Sequence, residues 1–324
     1  MKKSWQAQLE KEFIELEKQF PNQIGLYLKD LNTGEEYSLH GDESMYLAST
    51  VKVPIAIEVL AQVDAKKLSL DDNVTIDLDD YVDGNGPLKL KRPGDQVSIR
   101  YLIEQMIVYS DNMASDMLIR TVGLDKINTL TQKLMPGSSP ITTLKDVRRH
   151  IYSELHTNAF NLPGKSFMEL NAIQDPNAKL EKFASFIRLG KKQMNLQNVH
   201  EAYEAYYRKG LNSASPRNYS KVLESLWEGK ILGPSSRDFL VQTMLKTETG
   251  KNRIKAGLKH PWVFAHKTGT QYQRIVDVGY IWNPKNLHRK PIIVVSFVKD
   301  IKQKNISAAL LEKMGKVISG SGVL

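Results

Sequence analysis

The sequence predicts an α/β protein of the α+β kind, with one antiparallel sheet drawn from both chain ends and an all-helical domain inserted between them. Two observations carry this. Strand-like runs cluster near the termini: 24–29 and 35–40 flank the turn Asp30-Leu31-Asn32-Thr33-Gly34, and 275–282 and 291–298 flank Asn283-Pro284-Lys285-Asn286. The stretch between them has helical periodicity almost throughout. A sheet interrupted in this way leaves a cleft where the two parts meet, a favoured position for a ligand site.

Taken in order, residues 4–20 form an amphipathic helix with Trp5, Leu9, Phe13, Leu16 and Phe20 on one face. Ser98 can cap a helix carrying Ile99, Leu102, Ile103, Met106 and Ile107. Thr143-Leu144-Lys145-Asp146 resembles a capping box for a helix with Val147, Ile151 and Leu155. Ser215-Pro216 opens a helix that Gly229 follows, and a last helix covers about 306–317. The expected division is 1–48 with 258–324 as the sheet domain and 49–257 as the helical domain. Within the latter, an apparent insertion near 179–211 carries Phe183, Phe186, Ile187, Val199, Ala202, Tyr203, Tyr206 and Tyr207 at helical spacing, which predicts a packed helical pair.

The chain has 324 residues, 41% of them hydrophobic, enough for a sizeable core. Its formal net charge is +9, without a block of five like charges, so no nucleic-acid partner is expected. The absence of cysteine excludes disulfides, thiolate metal sites and a cysteine nucleophile. The seven histidines show no His-x-x-x-His spacing, so neither a metal nor a cofactor is expected. Met1-Lys2-Lys3 looks like the charged start of a signal peptide, yet no apolar core follows: either an export signal has been removed or the protein is cytosolic. No run reaches membrane-spanning length.

Three short motifs carry the chemistry. Ser49-Thr50-Val51-Lys52 opens the apolar helical run 51–60, placing a serine where free N–H groups favour developing negative charge and a lysine on nearly the same face. A buried lysine beside other cations loses basicity and can act as a general base. Ser110-Asp111-Asn112 separates two helical patterns. Lys267-Thr268-Gly269 follows the strand-like run 262–266, and Gly269 allows close approach of another backbone.

In this order and context the three motifs resemble those of class A β-lactamases and penicillin-recognising serine hydrolases. Gly86-Pro87-Leu88, Arg92-Pro93-Gly94, Gln273-Arg274 and Asp277-Val278-Gly279 are also similar to that family. The resemblance implies a β-lactamase/transpeptidase-like fold and an acyl-enzyme on Ser49. Lys52 would share in activating the nucleophile, and Ser110 would pass a proton to the leaving nitrogen. Backbone N–H groups of Ser49 and Thr270 would form the oxyanion hole. Asn112 would hold the acylamide side chain, while Lys267, Thr268, Gly269 and Arg274 would bind substrate, chiefly its carboxylate. The implied partner is a small β-lactam or a D-Ala-terminated peptide, met by a monomeric, periplasmic or secreted protein.

One position departs from the family pattern. The family's loop after the second motif reads Glu-x-Glu-Leu-Asn, and its first glutamate activates the deacylating water. Here Phe167-Met168-Glu169-Leu170-Asn171 puts Phe167 there, and Tyr152-Ser153-Glu154-Leu155-His156 puts Tyr152 there. Glu169 could serve if the loop backbone shifts. Three functions stay open on sequence: a β-lactam hydrolase, a D-Ala-D-Ala peptidase with slow deacylation, and a non-catalytic β-lactam or cell-wall binding module.

Overall fold

The computed structural model describes residues 4–190, 193–196, 198–286 and 288–324. The charged start Met1-Lys2-Lys3 lies outside them, as do residues 191, 192 and 197 of the expected insertion. The chain begins with α1 (Trp5–Gln19), β1 (Ile24–Asp30), β2 (Glu36–Leu39) and a short β3 (Met45–Tyr46). A 3₁₀ turn, Ala48–Val51, then leads into α2 (Lys52–Asp64). The small strands β4 (Asn73–Thr75) and β5 (Gln96–Ser98) precede α3 (Ile99–Val108), α4 (Asn112–Val122), α5 (Leu124–Leu134) and α6 (Leu144–Ser153). Next come α7 (Gly164–Ala172), α8 (Pro176–Ile187), α9 (Val199–Arg208), β6 (Ser213–Ala214), α10 (Pro216–Trp227), α11 (Pro234–Leu245) and α12 (Ile254–Gly257). The chain closes with β7 (Val263–Gln271), β8 (Arg274–Trp282), β9 (Ile292–Lys299) and α13 (Lys304–Gly320).

The main sheet has the order β2-β1-β9-β8-β7, with every neighbouring pair antiparallel. Both chain ends therefore build it, as the terminal strand patterns predict. Two cores lie on its two faces. On one, α1 and α13 bury Leu9, Phe13, Leu311 and Met314 against Leu26, Leu28, Phe264 and Val294. On the other, the helices pack against Tyr27, Val278, Tyr280 and Val295. Helix α2 is central there: Val53, Ile55, Ala56, Ile57, Val59 and Leu60 are all buried, the larger ones contributing about 1.5–3 kcal/mol each. Helix α12, assigned from sequence to the helical domain, sides with the sheet instead, because Ile254 is buried with Leu311 and Met314.

The caps read from sequence are made. Ser98 Oγ accepts from Tyr101 N at 3.2 Å, Thr143 Oγ1 from Asp146 N at 3.0 Å, and Ser215 Oγ from Asn218 N at 3.3 Å with Pro216 in the first turn. A third core belongs to α6–α9. Phe167, Phe183, Ala202 and Tyr206 are buried there together with Tyr46 and Ala48, the residues just ahead of Ser49. Two helices, α8 and α9, occupy the expected stretch, but α8 packs on α7 and α9 on α6 instead of pairing with each other, and the shared core reaches the wall of the cleft.

Candidate active site

Each motif residue is set by a local device. Ser49 lies in the 3₁₀ turn ahead of α2, and Ala48 before it has φ +47°, a left-handed conformation that is costly for alanine. Ser110 has φ +62° and is followed by Asp111, which caps α4 by accepting from Ala114 N at 3.1 Å and holds Leu88 N at 3.2 Å. Strained non-glycine residues at two of the three motifs are the kind of cost that functional sites carry.

Lys52 is fully buried and its three donors are all used: Nζ donates to Ser110 O at 2.7 Å, Ser110 Oγ at 3.2 Å and Asn112 Oδ1 at 2.7 Å. Lys267, also fully buried, donates to the same Ser110 Oγ at 3.0 Å and to Thr268 O at 2.9 Å. One hydroxyl thus bridges two ammonium groups. Burial pushes the Lys52 amine down to about 7, opposed by the Asp111 and Asp116 carboxylates and assisted by Arg148. Burial, then the Lys52 and Arg253 charges, also hold Lys267 well below the usual lysine range. Among the described residues Ser49 Oγ has no hydrogen-bond partner, and Ser49 lines a cavity.

Strand β7 is the outer strand of the sheet, and its free edge meets the nucleophile segment. A Cβ on Gly269 would stand 2.8 Å from Leu47 O and 3.0 Å from Ala48 Cβ. Only glycine permits that approach, and Thr270, the next residue of the strand, lines the same cavity as Ser49. Gly269→Val is therefore expected to force β7 off the Ser49 turn and to slow acylation by about 10²-fold, the cost of losing one oxyanion donor. A second-order acylation rate within threefold of the parent would contradict it.

Two assigned residues stand elsewhere. Arg274 donates to Asp300 Oδ1 at 2.6 Å, lies 3.6 Å from Glu204 and stacks over the Tyr207 ring at 4.5 Å. Its charge is spent on α9 and the end of β9, not beside Lys267. Arg253 takes that place: Nη1 donates to Gly269 O at 3.1 Å and Val276 O at 3.3 Å, and Nη2 to Thr270 Oγ1 at 2.6 Å. Thr249 joins it, its hydroxyl 2.5 Å from that of Thr268. In the sequence Arg253 is one cation in a polar turn, Gly250-Lys251-Asn252-Arg253, with nothing to single it out.

Glu169 stands on the exposed side of α7, 3.2 Å from Lys182. Phe167 and Tyr152 are both buried, their rings 5.5 Å apart in the α6–α9 core. The cavity against Ser49 is lined by Asn112, Val147, Arg148, Thr270 and Gln271 among others, and none of its lining residues is a carboxylate. Arg148 fills that wall, its Nε donating to Asp83 Oδ1 at 2.7 Å. No group of three or more His, Cys, Asp or Glu that could hold a metal occurs among the described residues.

Residues 8–321 fit the model of the β-lactamase enzyme family. The chain belongs to that family. It is similar to a β-lactamase of Proteus vulgaris, 27% identical over 97% of this chain and 87% of the relative. It also resembles β-lactamase 3 of Bacillus cereus, 23% identical over 87% of this chain and 71% of the relative. Among solved structures, an ancestral class A β-lactamase superposes with a TM-score of 0.72 at 24% identity, covering 97% of this chain and 99% of the other. The structure of PBP-A also gives 0.72, at 22% identity over 97% and 95%. At these identities the solved structures establish the shared β-lactamase fold.

Proposed function

We propose that this β-lactamase-family protein opens β-lactam rings by acyl transfer to Ser49, with hydrolysis of the acyl-enzyme as the slow step. The observation that carries the reading is the buried pair Lys52 and Lys267 converging on Ser110 Oγ, with Ser49 in the turn that leads into Lys52. Ser49 Oγ attacks the ring carbonyl while Lys52, neutral, takes its proton. The Ser49 and Thr270 N–H groups receive the oxyanion. As the C–N bond breaks, Ser110 passes its proton to the departing nitrogen and is reprotonated by Lys52. Lys267, Thr268 and Arg253 bind the substrate carboxylate. Water then attacks the ester carbon, the bond from that carbon to Ser49 Oγ breaks, and the proton the water loses ends on Oγ.

The family relatives named β-lactamases support hydrolysis, and with it a part in antibiotic resistance and β-lactam breakdown. Membership of the family supports a periplasmic or secreted location. Among the described residues no helix is long and apolar enough to cross a membrane. One observation favours a second reading. No carboxylate lines the cavity at Ser49, so an acyl group would persist, as in a D-Ala-D-Ala peptidase that penicillin blocks. Sustained ring opening, many turnovers per enzyme, supports the first reading; stoichiometric labelling with cleavage of a D-Ala-D-Ala peptide supports the second.

The lysine base sets a pH dependence. Acylation requires neutral Lys52, so its rate rises with pH, with a midpoint at about 7, and levels off above. A rate that stays flat from pH 6 to 9 would contradict this. Stability follows the same proton. Between about 7 and the ordinary lysine value the unfolded chain binds the proton that folded Lys52 has released, so this residue's contribution to stability rises with pH across that window.

A further inference from the structure

Strand β7 divides the site into two halves. At Lys267 and Thr268 it meets Ser110 and Thr249, and Arg253 reaches along it to Gly269 O and Thr270 Oγ1, a set of cations and hydroxyls that suits the leaving group and its carboxylate. Thr270 and Gln271 line the cavity at Ser49 together with Asn112 and the α6 residues Leu144, Val147 and Arg148, the side that the acyl half of a substrate would take. The cavity at Ser49 itself holds about 30 Å³. That is roughly the volume of one water molecule, where sites for drug-sized ligands hold about 300–1,000 Å³.

Built features, each held by several contacts, fill the rest. The Asn112 side chain is turned inward: Oδ1 accepts from Lys52 at 2.7 Å and Nδ2 donates to Asp83 O at 2.6 Å. Arg148 occupies the opposite wall, held between Asp83 Oδ1 at 2.7 Å and Gln271 Oε1 at 3.3 Å. Gln271 cannot swing away freely, because the turn after it is strapped to α9. Tyr272 stacks on Tyr203 with ring centroids 5.0 Å apart and planes 20° off parallel, and Tyr207 Oη donates to Tyr272 O at 2.7 Å. Glu204 of the same helix lies 3.6 Å from Arg274.

We propose that Arg148 and Gln271 determine specificity at Ser49, selecting β-lactams whose ring carbon beside the scissile carbonyl bears hydrogen or a small group and excluding those with a bulky acylamino side chain. This deepens the proposed function and rests on Ser49 being the acylated residue.

Penicillanic acid and benzylpenicillin share the bicyclic nucleus and carboxylate and differ in the phenylacetamido group. Their second-order rates of Ser49 acylation are to be measured by intact mass and divided by their rates of alkaline hydrolysis, which removes the difference in ring reactivity. The parent protein is expected to favour penicillanic acid by about 10- to 100-fold, the discrimination a pocket wall can supply. Gln271→Ala, which trims the wall, is expected to narrow that ratio by about tenfold. Tyr203→Ala, which frees the turn without changing the cavity lining, narrows it in the same direction. Arg148→Ala is less suitable, because it leaves Asp83 buried without its partner. Equal normalised rates in the parent overturn the inference while leaving acylation intact, and so does a preference that both variants leave unchanged. If neither compound labels Ser49, the acylation reading itself fails.

Discussion

Ser49→Ala abolishes the covalent penicilloyl adduct and lowers β-lactam turnover on the order of 10⁴- to 10⁶-fold, the scale seen when a serine nucleophile is removed from a site whose other parts remain. The fold is expected to survive. Ser49 Oγ has no partner among the described residues, and Ala48 and Thr50 hold the turn from either side, Thr50 Oγ1 donating to Leu47 O at 2.7 Å. Thermal unfolding of the variant should therefore lie close to that of the parent, and equilibrium binding of β-lactam should remain measurable. A variant that still turns over nitrocefin at a tenth of the parent rate would remove Ser49 from the mechanism.

Lys52→Met slows acylation by about 10³-fold, within the range that general-base catalysis supplies. Methionine keeps the length of the side chain but neither accepts nor donates as an amine does. The change leaves Ser110 O and Asn112 Oδ1 without their 2.7 Å donor, an expected cost of about 1–3 kcal/mol for each group left unsatisfied. Removing a buried ammonium offsets part of that cost. The diagnostic readout is the pH profile, which loses its inflection at about 7. A slowed enzyme that keeps the inflection would assign the titration to another group, Lys267 being the first candidate because it shares Ser110 Oγ.

Much of this site is readable from residues alone because its parts are tied to local signals. Ser98, Thr143 and Ser215 announce helix starts by side-chain caps, and the caps form. The terminal hairpin patterns predict a sheet from both chain ends, and the register is set by strands such as Leu26 opposite Ser296 and Lys267 opposite Val278. Ser49 and Ser110 lie at element boundaries, before α2 and α4, and Lys267 lies in mid-strand on the outer strand β7. The rest depends on contacts distant in sequence. Arg253 reaches Gly269, Val276 and Thr270 only once the turn before α12 is folded back on β7. Arg274 carries the expected charge, yet Asp300 and Glu204 claim it through tertiary packing.

Glu169 illustrates the same limit in the other direction. Its Glu-Leu-Asn setting matches the family loop, but Gly164–Ala172 folds as helix α7, whose apolar residues Phe167 and Leu170 face the α6–α9 core. The helical period then places Glu169 outward, beside Lys182. The local motif is retained while the element that carries it has changed, so the likeness in letters gives no likeness in position. The consequence is that no carboxylate lines the cavity at Ser49, the residue proposed to carry the acyl group.

The most direct test of this account follows the intact mass of the protein through a reaction with excess penicillin, with peptide mapping at intervals and ring opening recorded in parallel. The account predicts one penicilloyl group on Ser49, formed in a burst and accumulating because deacylation is slow, and no adduct on Ser49→Ala. Ring opening that proceeds without any adduct on Ser49, or an adduct carried by another residue, would contradict it.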